Sequence, residues 1–202
     1  MNKPNLSTDP KAKVARNGKQ KHRTAFTILL FLTITWMLVI FTFSAQPAEE
    51  STDTSMFWGR MAGELLVPGF KNWPEEKKES FAEKMDYPVR KAAHATEYAI
   101  LGMLLFATLY PLNHRDAELN NVKKGIIKRS RTGASFTLGA LYAASDEIHQ
   151  LFVPGRSGQF TDVLIDSGGV LAGLLLALLF LRFTGRMNKV RKRTSTPPAL
   201  QS

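Results

Sequence analysis

Apolar residues along this 202-residue chain come in blocks, separated by polar, proline-bearing or basic stretches. Residues 24–43 form a run of twenty without a charge. At about 1.5 Å per helical residue this is roughly 30 Å, the thickness of a bilayer's hydrocarbon core, and it predicts a transmembrane helix. A basic stretch before an apolar run also describes a cleaved signal peptide. The run is long, however, and Phe43, two residues before Ala45, fits an A-x-A cleavage site poorly. Residues 44–90 turn polar, with Pro47, Pro68, Pro74 and Pro88 as breakers. Two short helices are expected there. Residues 52–67 carry Met56, Phe57, Met61, Leu65 and Leu66 at helical spacing, with Ser51 or Thr52 as a cap. Residues 74–85 open on proline and glutamates and set Phe81 and Met85 four apart. Such stretches suit a solvated loop as well as a lid or an interfacial helix.

Residues 91–110 read as a second span, interrupted by His94 and Glu97 near its start and ended by Pro111. A third span, residues 133–153, is free of charge until Asp146, and a tight turn follows at residues 154–158. The fourth runs from about Asp162 to Leu181 and carries Gly168, Gly169 and Gly173; the last two form a small-xxx-small pair that lets a neighbouring helix pack closely. The expected fold is all-α: a polytopic membrane protein with four transmembrane helices over residues 24–182, residues 44–90 being an extracytoplasmic loop. Basic segments without apolar period flank it, residues 1–23 and 183–202, and read as disordered cytoplasmic tails.

Charge changes the picture by giving it a direction. The formal net charge is +10, and of the 27 Lys and Arg, seven, six and six fall on the N-terminal tail, the 112–132 connection and the C-terminal stretch from Arg182. Seven, Lys91 included, and one, Arg156, fall on the two intervening segments. The positive-inside rule then puts both termini in the cytoplasm of a multi-pass protein of the plasma membrane. The basic charge is an orientation signal, with attraction of the tails to anionic lipid as a secondary effect, and no nucleic-acid recognition motif accompanies it. The absence of cysteine excludes disulfides, thiolate metal sites and cysteine nucleophiles.

That orientation puts three polar clusters at one depth. By helical rise, His94 and Glu97 lie about 5 and 9 Å below Lys91, Asp146, Glu147 and His149 about 6 to 11 Å below Val153, and Asp166 about 6 Å below Asp162. His94, Glu97, Tyr98 and Leu101 share one helical stripe, and Asp146, His149 and Gln150 another. Glu147 points about 100° away from Asp146, which leaves one of these acids to meet Arg156 or Lys91. Ionisable residues inside a membrane are costly and usually face an interior, a cavity or a partner.

Several chemistries suit such a ring. Two histidines and several carboxylates could hold a divalent metal, although they are dispersed over three helices without an HExxH-type pair. Histidine beside carboxylates could do acid–base work, as in a membrane-embedded enzyme acting on a lipid-linked envelope precursor, or relay protons. The pocket could instead bind an amphiphile by its head group, or the ring could be a structural network that fixes helix register. Candidate catalytic residues are His94, Glu97, Asp146, Glu147 and His149, with His94 or His149 as proton carrier. Candidate ligand-binding residues are Lys91, Tyr98, Gln150, Arg156, Asp162 and Asp166, with Lys91 and Arg156 anchoring an anionic head group. Ser44, Ser145 and Ser157 lie nearby without a nucleophile motif. The partners expected are membrane lipid and an envelope precursor or amphiphilic ligand; no cofactor, metal identity or oligomeric state is fixed.

The chain resembles the VanZ-like family of bacterial integral membrane proteins. The resemblance rests on Val89-Arg90-Lys91-Ala-Ala-His94-Ala-Thr-Glu97-Tyr98, on Ser145-Asp146-Glu147-Ile-His149-Gln150-Leu-Phe152-Val-Pro154-Gly155-Arg156, and on Asp162-Val-Leu-Ile-Asp166-Ser-Gly168-Gly169 with Gly173. Phe43-Ser44-Ala45-Gln46-Pro47 is similar to the family's Ser-Ser-Gln element, with Ala45 where a second serine is common, and Asp166 stands where relatives often have asparagine. The resemblance implies a four-helix membrane domain. The family's name-giving member is associated with low-level resistance to the glycopeptide teicoplanin.

Overall fold

The computed structural model describes residues 10–109 and 121–194, and the regular structure among them is helical throughout. The α-helices are α1 (Pro10–Ser44), α2 (Ala48–Leu66), α3 (Glu75–Leu109), α4 (Asn121–Gln150) and α5 (Phe160–Thr194), with a 3-10 turn at Phe70–Asn72 before α3. Among the described residues, three helical stretches are long and apolar enough to cross a membrane: Gln20–Ser44, Glu75–Leu109 and Phe160–Gly185. The chain is thus an all-helical membrane protein. Helix α4 falls short of that composition because its apolar stretch is bounded by Lys128, Arg129 and Arg131 at one end and by Asp146, Glu147, His149 and Gln150 at the other.

Four expectations need correction. Helix α1 begins at Pro10, so much of the basic stretch expected to be disordered is helical; α5 likewise continues through Thr194. Once a helix exists, adding residues to its ends needs no new nucleus, and Lys, Arg, Ala and Gln extend it readily. Residues 1–9 and 195–202 lie outside the described residues. Helix α4 starts within the basic connection, at Asn121. Finally, Pro88 does not separate two helices; it lies inside α3, which fuses the expected 74–85 helix with the second span.

Proline in a helix interior loses one hydrogen bond and crowds the preceding turn. Tertiary contacts in the turns before Pro88, and an ion pair that spans it, offset this. Gly59 of α2 brings its backbone against Ala82 and Met85, Ser55 donates to Asp86, and Arg90 pairs with Asp86 one turn apart at 3.3 Å. The first half of α3 therefore packs on α2 as a hairpin. Its bend is filled by Phe70, whose ring covers Gly63 and meets Phe81 edge-on at 5.3 Å.

The remaining length of α3 lies at the centre, against α5 and also α1 and α4. Its contact with α5 is a backbone-to-backbone crossing: Gly102 faces the backbone of Val170, Gly169 that of Ala95 and Gly173 that of Ala99. The small-xxx-small pair does what its spacing predicts, because no Cβ fits at these positions. Ile40, Tyr98, Leu101, Phe106, Val170 and Leu174 are buried around the crossing. The outward faces carry exposed Phe31, Leu38, Leu141, Leu175 and Phe180, as suits contact with acyl chains. Among the hydrogen bonds that fix α1, Trp36 Nε1 donates to the Glu97 carbonyl at 2.9 Å and the Tyr142 hydroxyl to the Met37 carbonyl at 2.6 Å.

Candidate functional site

The α3–α5 crossing decides what meets at the polar end of the bundle. Because Gly169 sits on the backbone of Ala95, the residue before Ala95 and the residue three before Gly169 become neighbours. These are His94 and Asp166, with Nδ1 and Oδ1 4.0 Å apart. Helix α4 adds Asp146, and ligand-capable atoms of His94, Asp146 and Asp166 all lie within 4.8 Å of one another. Each residue comes from a different helix. Asp166 is fully buried and Asp146 is 3% exposed.

Few donors reach these carboxylates. The Ser44 hydroxyl, at the end of α1, donates to Asp146 Oδ2 at 2.6 Å, and Gln150 Nε2 approaches the same oxygen at 3.5 Å. Asp146 Oδ1, both Asp166 oxygens and His94 Nδ1 are buried without a hydrogen-bond partner. Buried polar groups are normally satisfied, so orphaned atoms on three converging side chains need an explanation.

The other candidates take separate positions. Lys91 forms an ion pair with Asp162 at 2.5 Å, which ties α3 to α5 above the cluster. Glu147 meets neither Arg156 nor Lys91 at bonding distance; its Oε2 accepts the backbone N–H of Gln159 at 2.8 Å and so fastens the 151–159 loop. The position of Glu147 one residue from Asp146 rotates it out of the cluster, as the 100° step requires. His149 stacks on Phe41 with ring centroids 4.4 Å apart and does not join the three-residue group. Tyr98 is fully buried beside Tyr142.

Two small cavities open beside the cluster, and His94, Arg90 and Arg156 line both. One, of about 160 Å³, is also walled by Lys91, Gln150 and Asp162; the other, of about 180 Å³, by Glu97, Gln46 and Trp58. Glu97 thus belongs to a cavity wall, not to the His94 group. Arg156 lies in the 151–159 loop, whose turn places Gly155 at φ 73°, a left-handed conformation that glycine adopts without strain. Its guanidinium donates to the carbonyls of Gln46 at 3.1 Å and Phe43 at 3.5 Å. No carboxylate among the described residues lies within ion-pair distance of it. Burial, followed by the like charge of Arg90, pushes Arg156 below its ordinary pKa against the pull of Asp146, Glu147 and Glu97. A larger apolar cleft of about 510 Å³ lies between α1, α3 and α5 at the opposite end, lined by Phe26, Leu29, Phe106 and Phe180. Its walls carry none of the candidate chemistry.

Sequence reasoning did not single out Arg90 as a site residue and gave Ser44 no partner. The signal for Ser44 was its place at the end of the first apolar run, at the depth of Asp146. A family model described as VanZ/LLP1 matches residues 29–181, from within α1 to within α5, and so includes every residue of the site. No curated protein and no solved structure matches the chain.

Proposed function

The chain belongs to the VanZ-like family, and from that premise we propose that it is a four-span protein of the plasma membrane whose pocket at the external face binds the anionic head group of an envelope amphiphile. In this reading α4 is the additional span, both termini are cytoplasmic, and α2 with the first half of α3 forms an external cap. The distribution of Lys and Arg supports this orientation.

The observation that carries the proposal is Arg156. It is a half-buried cation at the junction of two cavities, held by backbone carbonyls and not by an acid. A guanidinium in that state offers its remaining N–H groups to phosphate or carboxylate oxygens. Lys91 and Arg90, by contrast, already face Asp162 and Asp86, so they shape the electropositive wall more than they anchor a ligand. Through its family, the protein is proposed to alter teicoplanin susceptibility by engaging such an envelope lipid.

Native mass spectrometry of the detergent-purified protein tests the reading, with phosphatidylglycerol and phosphatidylcholine offered in competition. Preferential retention of the anionic lipid by the wild type, lost in Arg156→Gln, is expected. Equal retention of both lipids, or an unaltered preference in Arg156→Gln, refutes it.

A further inference from the structure

We propose that His94, Asp146 and Asp166 form a binding site for a first-row divalent metal ion. The proposal rests on the cluster itself and not on the anionic-ligand reading of the neighbouring cavities.

Three observations carry it. One nitrogen and two carboxylate side chains, each from a different helix, present ligand atoms within 4.8 Å of one another. A metal at about 2.1 Å from each needs ligand atoms about 3.4 Å apart, so binding draws the His94 and Asp166 side chains toward Asp146, which Ser44 already holds. Second, His94 Nδ1, Asp146 Oδ1 and both oxygens of the fully buried Asp166 are buried without a hydrogen-bond partner, as is the hydroxyl of Tyr98, which acts on Asp146. Two buried carboxylates with so few donors are strongly unfavourable as bare anions, whereas a dication neutralises both and satisfies the orphaned lone pairs together. Third, Asp146 is already oriented. Ser44 donates to Oδ2 and leaves Oδ1 free to ligate, which is how outer-shell hydrogen bonds position metal-binding carboxylates.

The donor set selects the metal class. Imidazole with two carboxylates suits Zn²⁺, Mn²⁺, Fe²⁺ or Co²⁺; Ca²⁺ and Mg²⁺ prefer all-oxygen sites with more ligands. Three protein ligands leave at least one position open. Of the three ligands, His94 lines both cavities while Asp146 and Asp166 stay buried behind it.

The test uses the full chain, purified in detergent by an affinity tag free of histidine, stripped with chelator and titrated with Zn²⁺, Mn²⁺ and Co²⁺. Stoichiometric uptake of at least one of these ions is expected, with a rise in melting temperature. Co²⁺ bound to the wild type should show ligand-field absorption of a low-coordinate nitrogen–oxygen site. Asp166→Asn and His94→Gln should each lower affinity more than 100-fold, and Ser44→Ala about 10- to 100-fold, in line with outer-shell losses at other sites. Arg156→Gln removes a cation that acts on Asp146 and His94, so it should retain or raise metal affinity while abolishing the anionic-lipid preference, which separates this site from the head-group reading. Absence of stoichiometric uptake by the folded wild type overturns the proposal, as does retained affinity in folded Asp166→Asn and His94→Gln variants. If these variants do not fold, the wild-type titration and Co²⁺ spectrum decide it.

Discussion

Replacing Ser44 by alanine removes one oxygen atom and, with it, the hydrogen bond that joins the end of α1 to Asp146 of α4. Its 2.6 Å length falls in the short range of hydroxyl–carboxylate bonds, and both residues are buried. Hydrogen bonds to charged groups contribute about 1.5–3 kcal/mol in soluble proteins. Bonds between membrane helices average about 0.6 kcal/mol, because a chain unfolded within lipid finds other partners. Gln150, at 3.5 Å, is too distant to replace the hydroxyl fully, so the loss should fall between these limits, about 1.5 kcal/mol. For a chain of this size that corresponds to a melting temperature lower by roughly 3–6 °C. The measurement is a double-mutant cycle of Ser44→Ala, Asp146→Asn and their combination, by reversible unfolding in mixed detergent micelles after chelator treatment. A coupling energy above about 0.5 kcal/mol is expected. Additive losses would show that the two side chains do not stabilise one another and would refute the placement of α1 against α4 at this depth.

The helix crossing makes a sharper demand: Gly173→Leu should abolish a monodisperse folded species in size-exclusion chromatography, since overpacking costs about 1–3 kcal/mol even where side chains can yield, and here the neighbour is the Ala99 backbone. Gly185→Leu, with nothing near its added Cβ, is the matched control, and equal tolerance at the two positions would contradict the crossing. Breaking the Lys91–Asp162 pair by Lys91→Ala should cost about 1–2 kcal/mol, between exposed and buried pairs, with recovery in the charge-swapped double variant; no recovery would mean that the pair is not formed in the membrane. The cysteine-free chain allows single-cysteine mapping without background. In intact cells an impermeant thiol reagent should label a cysteine at Ser157 but not at Gly125, and labelling of both would exclude α4 as a span.

The sequence by itself determined the all-helical class, three of the apolar segments long enough for a bilayer, and the spacing of the ionisable residues along each helix, because these follow from composition and a fixed rise per residue; where each helix ends did not follow. It also marked Gly169 and Gly173 as a close-packing face. Only the tertiary structure decided which side chains meet. Periodicity sets a residue's angle about its own helix axis but says nothing of how that helix is turned toward its neighbours. The glycine contacts at Ala95, Ala99 and Val170 set that rotation for α3 and α5, and so selected His94 and Asp166 as partners while leaving Glu97 on a cavity wall. The same holds for Ser44 and Asp146, which lie 102 residues apart and share no local signal. Pro88 shows the converse: its local rule predicts a break, and α2 packed on the turns before it, with the Asp86–Arg90 pair spanning it, holds the helix continuous.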